Sequence, residues 1–193
     1  MKTWIIGVLI AATGIAAAGV VIGSQYEREN DEYGEHEGSG YRYGISRQDV
    51  APVQNALFQE ECGGCHFAYQ PGLLPAVSWQ RLMNGLADHF GENAELDADT
   101  AAQLRDYLLT NAADQVSTGR SPGIANSLHG DAPLRITETV YFRRQHDEIP
   151  ARAVADNPEI GSFSRCDACH TGAGDGSYDE HAVRIPGWGL ADE

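Results

Sequence analysis

The chain has 193 residues, with 28 acidic side chains against 13 lysines and arginines, and its formal net charge is −15. An acidic surface disfavours binding to nucleic acid and to anionic lipid headgroups, and it favours a basic docking partner. The length is enough for one domain or two small ones.

Residues 1–23 are predicted to be a targeting segment. Lys2 provides a positive start, and residues 4–22 carry no charge. The alanines at 16–18 resemble a signal-peptide cleavage site, whereas an apolar run of about 19 residues approaches the ~20 that span a bilayer. Two interpretations therefore remain: a cleaved signal peptide, or a retained anchor that attaches the protein to the membrane through residues 4–22. Either places the rest of the chain outside the cytoplasm.

Residues 24–44 form a predicted acidic flexible tether, because they are rich in Glu, Tyr and Gly and show no apolar period. The first folded region is predicted to span 45–116, beginning with a helix that Asp49 caps. A second helix is predicted from a cap at Ser78 to Phe90, and a third from Asp97 or Asp99.

A linker is predicted over 117–132, where Ser, Gly and Pro are frequent. The second folded region, 133–193, is predicted to begin with a helix that Thr137 or Thr139 caps and that ends before Pro150. Its remainder is rich in Gly and Asp and is predicted to be mostly irregular. The chain as a whole is therefore predicted to be mainly α-helical.

All four cysteines fall in two C-x-x-C-H motifs, Cys62–Cys65 with His66 and Cys166–Cys169 with His170. This motif attaches a c-type haem through two thioethers, and the histidine after the second cysteine supplies an axial nitrogen. A zinc site usually brings its cysteine pairs within ~20 residues, and a redox dithiol needs no histidine. The sequence therefore predicts two covalently bound haems c.

The opposite face of each iron needs a second ligand, and the pattern favours His89 for the first haem and His146 for the second. Both are expected on apolar helical faces, which aims their rings inward. Met83 is the rival for the first iron, although methionine more often fills cores. The histidines expected at the surface are His36, His129 and His181. Two histidines per iron predict low-spin haems of low potential.

Several strings beyond the haem motifs resemble the bacterial dihaem cytochrome c family of low-potential periplasmic electron carriers. They are Tyr69-Gln70-Pro71-Gly72-Leu73-Leu74-Pro75, Ser78-Trp79, His89-Phe90-Gly91 and Leu134-Arg135-Ile136-Thr137-Glu138-Thr139. The resemblance implies a class I cytochrome c-like first haem domain and a smaller, largely irregular second one. It also implies the pairs His66 with His89 and His170 with His146, a small monohaem cytochrome as acceptor and a membrane cytochrome b-type donor.

Electron transfer is thus the predicted function, with no catalytic residues. A dihaem peroxidase-like enzyme stays an alternative, since it would need one open or switchable iron. A membrane-tethered subunit of a respiratory or photosynthetic complex is another, because of residues 1–23. Arg143 and Arg144 are either partners of haem propionates or ordinary solvated arginines.

Overall fold

A computed structural model describes residues 48–188, and the elements within this range are mainly helical. The predicted targeting segment, the tether and His36 lie outside the described residues. The helices are α1 (Ala56–Gly63), α2 (Ala76–Asn84), α3 (Ala98–Thr110), α4 (Ser121–Ser127), α5 (Val140–Gln145), α6 (Ala151–Val154) and α7 (Cys166–Cys169). Short 3-10 helices lie at Pro71–Leu73, Leu86–Asp88, Ile136–Glu138, Ala173–Asp175 and Glu180–Ala182.

The mainly α class predicted from sequence is confirmed for residues 48–188. This range contains no β-sheet, only two isolated antiparallel bridges. The longest helix, α3, has 13 residues, whereas α5, α6 and α7 have six, four and four. Regular structure is therefore concentrated before residue 116. No helix within 48–188 is long and apolar enough to cross a membrane.

Helix α1 begins later than the sequence suggested. The Asn55 side chain, not that of Asp49, caps it by accepting a 2.9 Å hydrogen bond from the Phe58 amide. Asp49 is buried instead, and its carboxylate lies 3.0 Å from the Arg120 guanidinium. The expectation for Asp49 was wrong because a long-range ion pair replaced the local cap.

Helix α2 also departs from the expectation at both ends. It begins after Pro75 rather than at a Ser78 cap, and Ser78 lies fully buried inside it. It ends at Asn84 and gives way to the 3-10 helix Leu86–Asp88, so the predicted helix to Phe90 is wrong. Phe90 is 45% exposed instead of facing the core.

Helix α3 confirms the predicted start, because the Asp97 carboxylate accepts hydrogen bonds of 3.0 Å from the amides of Asp99 and Thr100. Its residues Leu104 and Leu108 are almost wholly buried. The three helices enclose one apolar cluster, whose buried members are Phe58, Leu74, Trp79, Met83, Leu104, Leu108 and Ala112. This cluster is the platform on which the first C-x-x-C-H motif is held.

The segment predicted to be a linker, 117–132, contains helix α4. Ile124 and Leu128 are 3% and 4% exposed, and Ile124 shares a small cluster with Val50 and Leu73. A flexible linker would leave such side chains in water. The Ser, Gly and Pro residues of this stretch therefore form turns around a packed helix rather than a free connection.

Helix α5 begins at Val140 and is capped by Thr139, one of the two predicted caps, and it ends at Gln145, four residues earlier than expected. The Thr139 hydroxyl accepts from the Phe142 amide at 3.0 Å and donates to the Ile136 carbonyl at 2.8 Å. His146 follows as the C-terminal cap residue. The division into two haem domains, 45–116 and 133–193, stays a prediction.

Candidate functional site

The first C-x-x-C-H motif lies where α1 ends and the chain turns back. Cys62 is half-buried on the helix, whereas Cys65 and His66 are exposed. Nδ1 of His66 lies 2.8 Å from the carbonyl oxygen of Phe67. Because a carbonyl only accepts, Nδ1 carries the proton and Nε2 keeps a free lone pair. His66 is therefore prepared to bind a metal through Nε2.

A tight turn after the 3-10 helix Leu86–Asp88 presents His89. The His89 amide donates to the Glu92 carbonyl at 2.7 Å, and Phe90 between them has a φ of +58°. That conformation is rare for a bulky residue and is often found at functional sites. It places the His89 ring 6.2 Å from the His66 ring, with 22° between their planes.

The second C-x-x-C-H motif forms its own helical turn, α7. Residues three apart on a helix are neighbours, so Cys166 and Cys169 project from one side. The His170 amide donates to the Cys166 carbonyl at 2.8 Å, which closes the turn. An isolated bridge from His170 to Val183 then fixes the chain after it.

His146 reaches the second motif from the end of α5. Its Nδ1 lies 2.9 Å from the Phe142 carbonyl oxygen, so this histidine also leaves Nε2 free. The ring stacks on that of Phe142 at 3.9 Å. It lies 6.1 Å from the ring of His170, and the two planes are inclined at 77°.

Both rings of the second pair line one largely apolar cavity. The same cavity is bordered by both cysteines of the second motif, so four candidate site residues face one space. Its apolar lining includes Val50, Leu73, Ile124, Ile149, Val154, Ile160, Phe163 and Ile185. Such a wall suits a porphyrin, which is a flat apolar ring with polar edges.

The spacing of the rings tests whether these residues fit a haem. Two metal–imidazole bonds of about 2.0 Å, plus roughly 1.1 Å from each nitrogen to its ring centroid, separate axial histidines by about 6 Å. The observed separations are 6.2 Å for the first pair and 6.1 Å for the second. Each pair therefore fits one iron between its rings, next to two cysteines that can form thioethers.

The thiols themselves do not resemble a redox dithiol. Burial, with a contribution from Glu61, raises the pKa of Cys62 to about 11. Burial, with Asp167, raises the pKa of Cys166 to about 12 and also raises the pKa of Cys169. Reactive cysteines have a lowered pKa. Within residues 48–188, moreover, no three His, Cys, Asp or Glu side chains converge as a bare metal ion requires.

The histidines that face the two motifs are held as neutral bases. Burial lowers the pKa of His89, and the nearby His66 and Arg135 lower it further. Burial likewise lowers the pKa of His146 and of His170. A neutral imidazole is the form that binds a metal. These side chains therefore need no proton loss near neutral pH before ligation.

The other candidate ligands lie elsewhere. Met83 is 7% exposed and belongs to the core cluster of α1, α2 and α3. His129 and His181 are exposed, and His129 sits in a turn with a φ of +49°. Arg143 and Arg144 are exposed in the last turn of α5.

The sequence analysis gave no role to three residues beside the site, although Tyr69 lies in one of the strings that carry the family resemblance. Arg120 lines the second cavity and pairs with Asp49, but its surrounding Ser, Thr and Gly residues suggested only a linker. Tyr69 packs on His66 at 5.1 Å, and Tyr178 packs on His170 at 5.3 Å. A lone tyrosine or arginine carries no spacing signal that could have identified it.

The family model and the solved structures that match this chain are all dihaem cytochromes c. A family model described as dihaem cytochrome c matches residues 58–178. A dihaem cytochrome c of Shewanella baltica OS155 is 43% identical over 71% of this chain and 97% of its own, with a TM-score of 0.59. A dihaem cytochrome c of Rhodobacter sphaeroides is 42% identical over 67% and 100%, also with a TM-score of 0.59. No curated protein matches the sequence.

Proposed function

Because this chain belongs to the dihaem cytochrome c family and carries two covalently bound c-type haems, we propose that it relays electrons between redox proteins and catalyses no bond chemistry. A haem supplies one-electron exchange at its iron. The chain holds the first haem through Cys62 and Cys65, and the second through Cys166 and Cys169. Its remaining task is to set the ligands and surroundings of each iron.

Four histidines would hold the two irons. His66 and His89 would ligate the first, and His146 and His170 would ligate the second. The ring separations of 6.2 and 6.1 Å support this, because they match the spacing of two axial imidazoles. The Nδ1 contacts of His66 and His146 with backbone carbonyls support it further, since they fix the tautomer that offers Nε2.

The two histidine pairs are the observation that favours an electron carrier over an enzyme. An enzyme of the peroxidase type needs an iron with an open position, together with an acid or base beside it. Histidine at both positions of each iron would leave no site for peroxide, which favours the electron carrier. Two histidines also favour low potentials, because a methionine ligand would raise them.

The partners follow from charge and from the family. The formal net charge of −15 suits a basic docking surface and a transient, salt-sensitive encounter. A small monohaem cytochrome as acceptor and a membrane cytochrome b-type protein as donor fit this role. We place the protein in the periplasm, free or anchored by its N-terminus.

Stopped-flow mixing tests this function directly. The reduced protein is mixed with a basic, ferric monohaem cytochrome c, and oxidation is followed at several ionic strengths. We expect fast oxidation that slows as salt is added, because the attraction between opposite charges is screened. Hydrogen peroxide is the matched alternative oxidant. Turnover of peroxide at peroxidase rates, with little transfer to the cytochrome, would overturn the proposal.

A further inference from the structure

Two adjacent residues, Tyr69 and Gln70, connect the first haem site to the segments that build the second. The Tyr69 ring packs on the His66 ring with 5.1 Å between centroids. Its hydroxyl donates a 2.7 Å hydrogen bond to the carbonyl oxygen of Ser164, 95 residues along the chain. Ser164 is only two residues before Cys166. Tyr69 therefore links a histidine of the first site to the peptide that carries the second haem.

The hydrogen bond from Tyr69 to Ser164 is the first arm of a connection between the sites, and Gln70 provides the second arm. Its side chain is fully buried, and its Oε1 accepts a 2.6 Å hydrogen bond from the Tyr178 hydroxyl. Its Nε2 donates to the Ala173 carbonyl at 2.5 Å. The Tyr178 ring packs against the His170 ring with 5.3 Å between centroids. The second arm therefore ends on a histidine of the second site.

Hydrogen bonds and an ion pair fix the side chains of the second arm in place. A buried amide without partners is costly, and here both ends of the Gln70 amide are paired. The Tyr178 amide donates to the Asp49 carboxylate at 2.8 Å, and Arg120 holds that carboxylate at 3.0 Å.

We propose that Tyr69, Gln70 and Tyr178 form a bonded bridge that carries electrons between the two haem sites, an inference that rests on the electron-transfer function proposed above. Electronic coupling falls less steeply through covalent and hydrogen bonds than across a non-bonded gap. One electron leaves the ferrous site, which becomes ferric, and enters the ferric site, which becomes ferrous. The tyrosines are not oxidised, no proton moves and no covalent bond changes.

The test is the rate of internal electron transfer in the fully haem-loaded chain. Tyr69→Phe and Tyr178→Phe each remove one hydroxyl and keep the ring that packs on histidine; the double variant cuts both arms. Tyr107→Phe is the matched control, because it removes a half-buried phenol that belongs to neither arm. A laser-triggered donor injects less than one electron per molecule. Redistribution is followed at wavelengths that spectroelectrochemistry shows to distinguish the two half-reduced forms.

The bridge predicts that each single variant slows redistribution and that the double variant slows it severalfold, while Tyr107→Phe matches the wild type. The low-spin EPR signals and both midpoint potentials stay unchanged, which separates lost coupling from a disturbed site. If the double variant disturbs a signal, Tyr69→Phe alone decides the result. Wild-type rates in variants with intact low-spin signals would overturn the bridge.

Different results would overturn the proposed bridge and the proposed carrier function. If internal redistribution is unaffected by the variants but the reduced protein still oxidises with a monohaem cytochrome, only the bridge is wrong. If the reduced protein transfers no electrons to an external cytochrome, the carrier function itself is wrong, whatever the internal rate.

Discussion

The rings of His146 and His170 lie 6.1 Å apart and nearly perpendicular, at 77°. The equivalent rings at the first site, His66 and His89, lie 6.2 Å apart and are inclined at only 22°. The two sites thus share a spacing and differ in the orientation of their imidazoles. This difference gives each haem a separate spectroscopic identity.

EPR spectroscopy of the oxidised protein should therefore show two different low-spin signals. Near-parallel imidazoles lift the degeneracy of the iron d orbitals strongly and give a rhombic signal. Near-perpendicular imidazoles leave them almost degenerate and give a highly anisotropic signal with one large g value. We expect one signal of each kind in equal amounts. Two identical rhombic signals would contradict the observed angle at the second site.

Removing either distal histidine should open one iron and spare the other. We expect His89→Ala to remove the rhombic signal and His146→Ala the anisotropic one, each giving a high-spin iron that free imidazole returns to low spin. The measurement is EPR with and without imidazole. His181→Ala is the control, because His181 is exposed and lies 3.8 Å from the neighbouring Glu180 carboxylate. Loss of both signals in a single variant would contradict two independent sites.

Arg135 should raise the potential of the first haem. Its guanidinium lies 3.9 Å from the centre of the Phe90 ring, which packs on the His89 ring at 4.8 Å. A cation stabilises the arriving electron, so we expect Arg135→Gln to lower the first midpoint potential. The expected drop is about 10–40 mV, which corresponds to the ~0.2–1 kcal/mol of a half-exposed charge interaction.

An EPR-monitored redox titration measures this effect on each haem separately. Arg135→Lys keeps the charge and should keep most of the potential. Arg152→Gln is the matched control, since Arg152 also lies over an aromatic ring, that of Trp188, at 5.3 Å. The effect of Arg135→Gln should shrink at high salt because the charge is half-exposed. An equal drop in the Arg152→Gln variant would show that the effect is not specific to Arg135.

Thr139 should matter for stability and for the second site together. Its buried hydroxyl caps α5, the helix that leads to His146. Thr139→Val keeps the shape but leaves the Phe142 amide without its cap, which costs about 1–3 kcal/mol, whereas the Ile136 carbonyl still accepts from the Thr139 backbone amide at 3.1 Å. Urea unfolding of the holoprotein measures the loss in unfolding free energy. Thr110→Val, at the exposed end of α3, should change it by less than ~0.5 kcal/mol.

Local sequence signals predicted the elements whose ends are set by local contacts. Asp97 and Thr139 cap their helices as expected, because each side chain bonds an amide two or three residues ahead. Asn55 replaced Asp49 as a cap because Asp49 is drawn into an ion pair with Arg120, 71 positions along the chain. No local pattern could reveal such a contact.

The same limit applies at the candidate site. The cysteines were identifiable because the C-x-x-C-H spacing is itself the chemical requirement. His89 was chosen as part of a long helix, yet it lies in a turn after a 3-10 helix, where Phe90 has a positive φ. Only the folded chain shows Tyr69 and Gln70 joining distant segments, because their hydrogen-bond partners lie 95 to 108 residues away.

Near-infrared magnetic circular dichroism of the fully oxidised protein tests the ligation of both irons most directly. The energy of the porphyrin-to-iron charge-transfer band identifies the axial pair, and its intensity counts the haems that have it. We expect a single bis-histidine band with the intensity of two haems per chain. A methionine–histidine band, or a high-spin band accounting for one of the two haems, would contradict it.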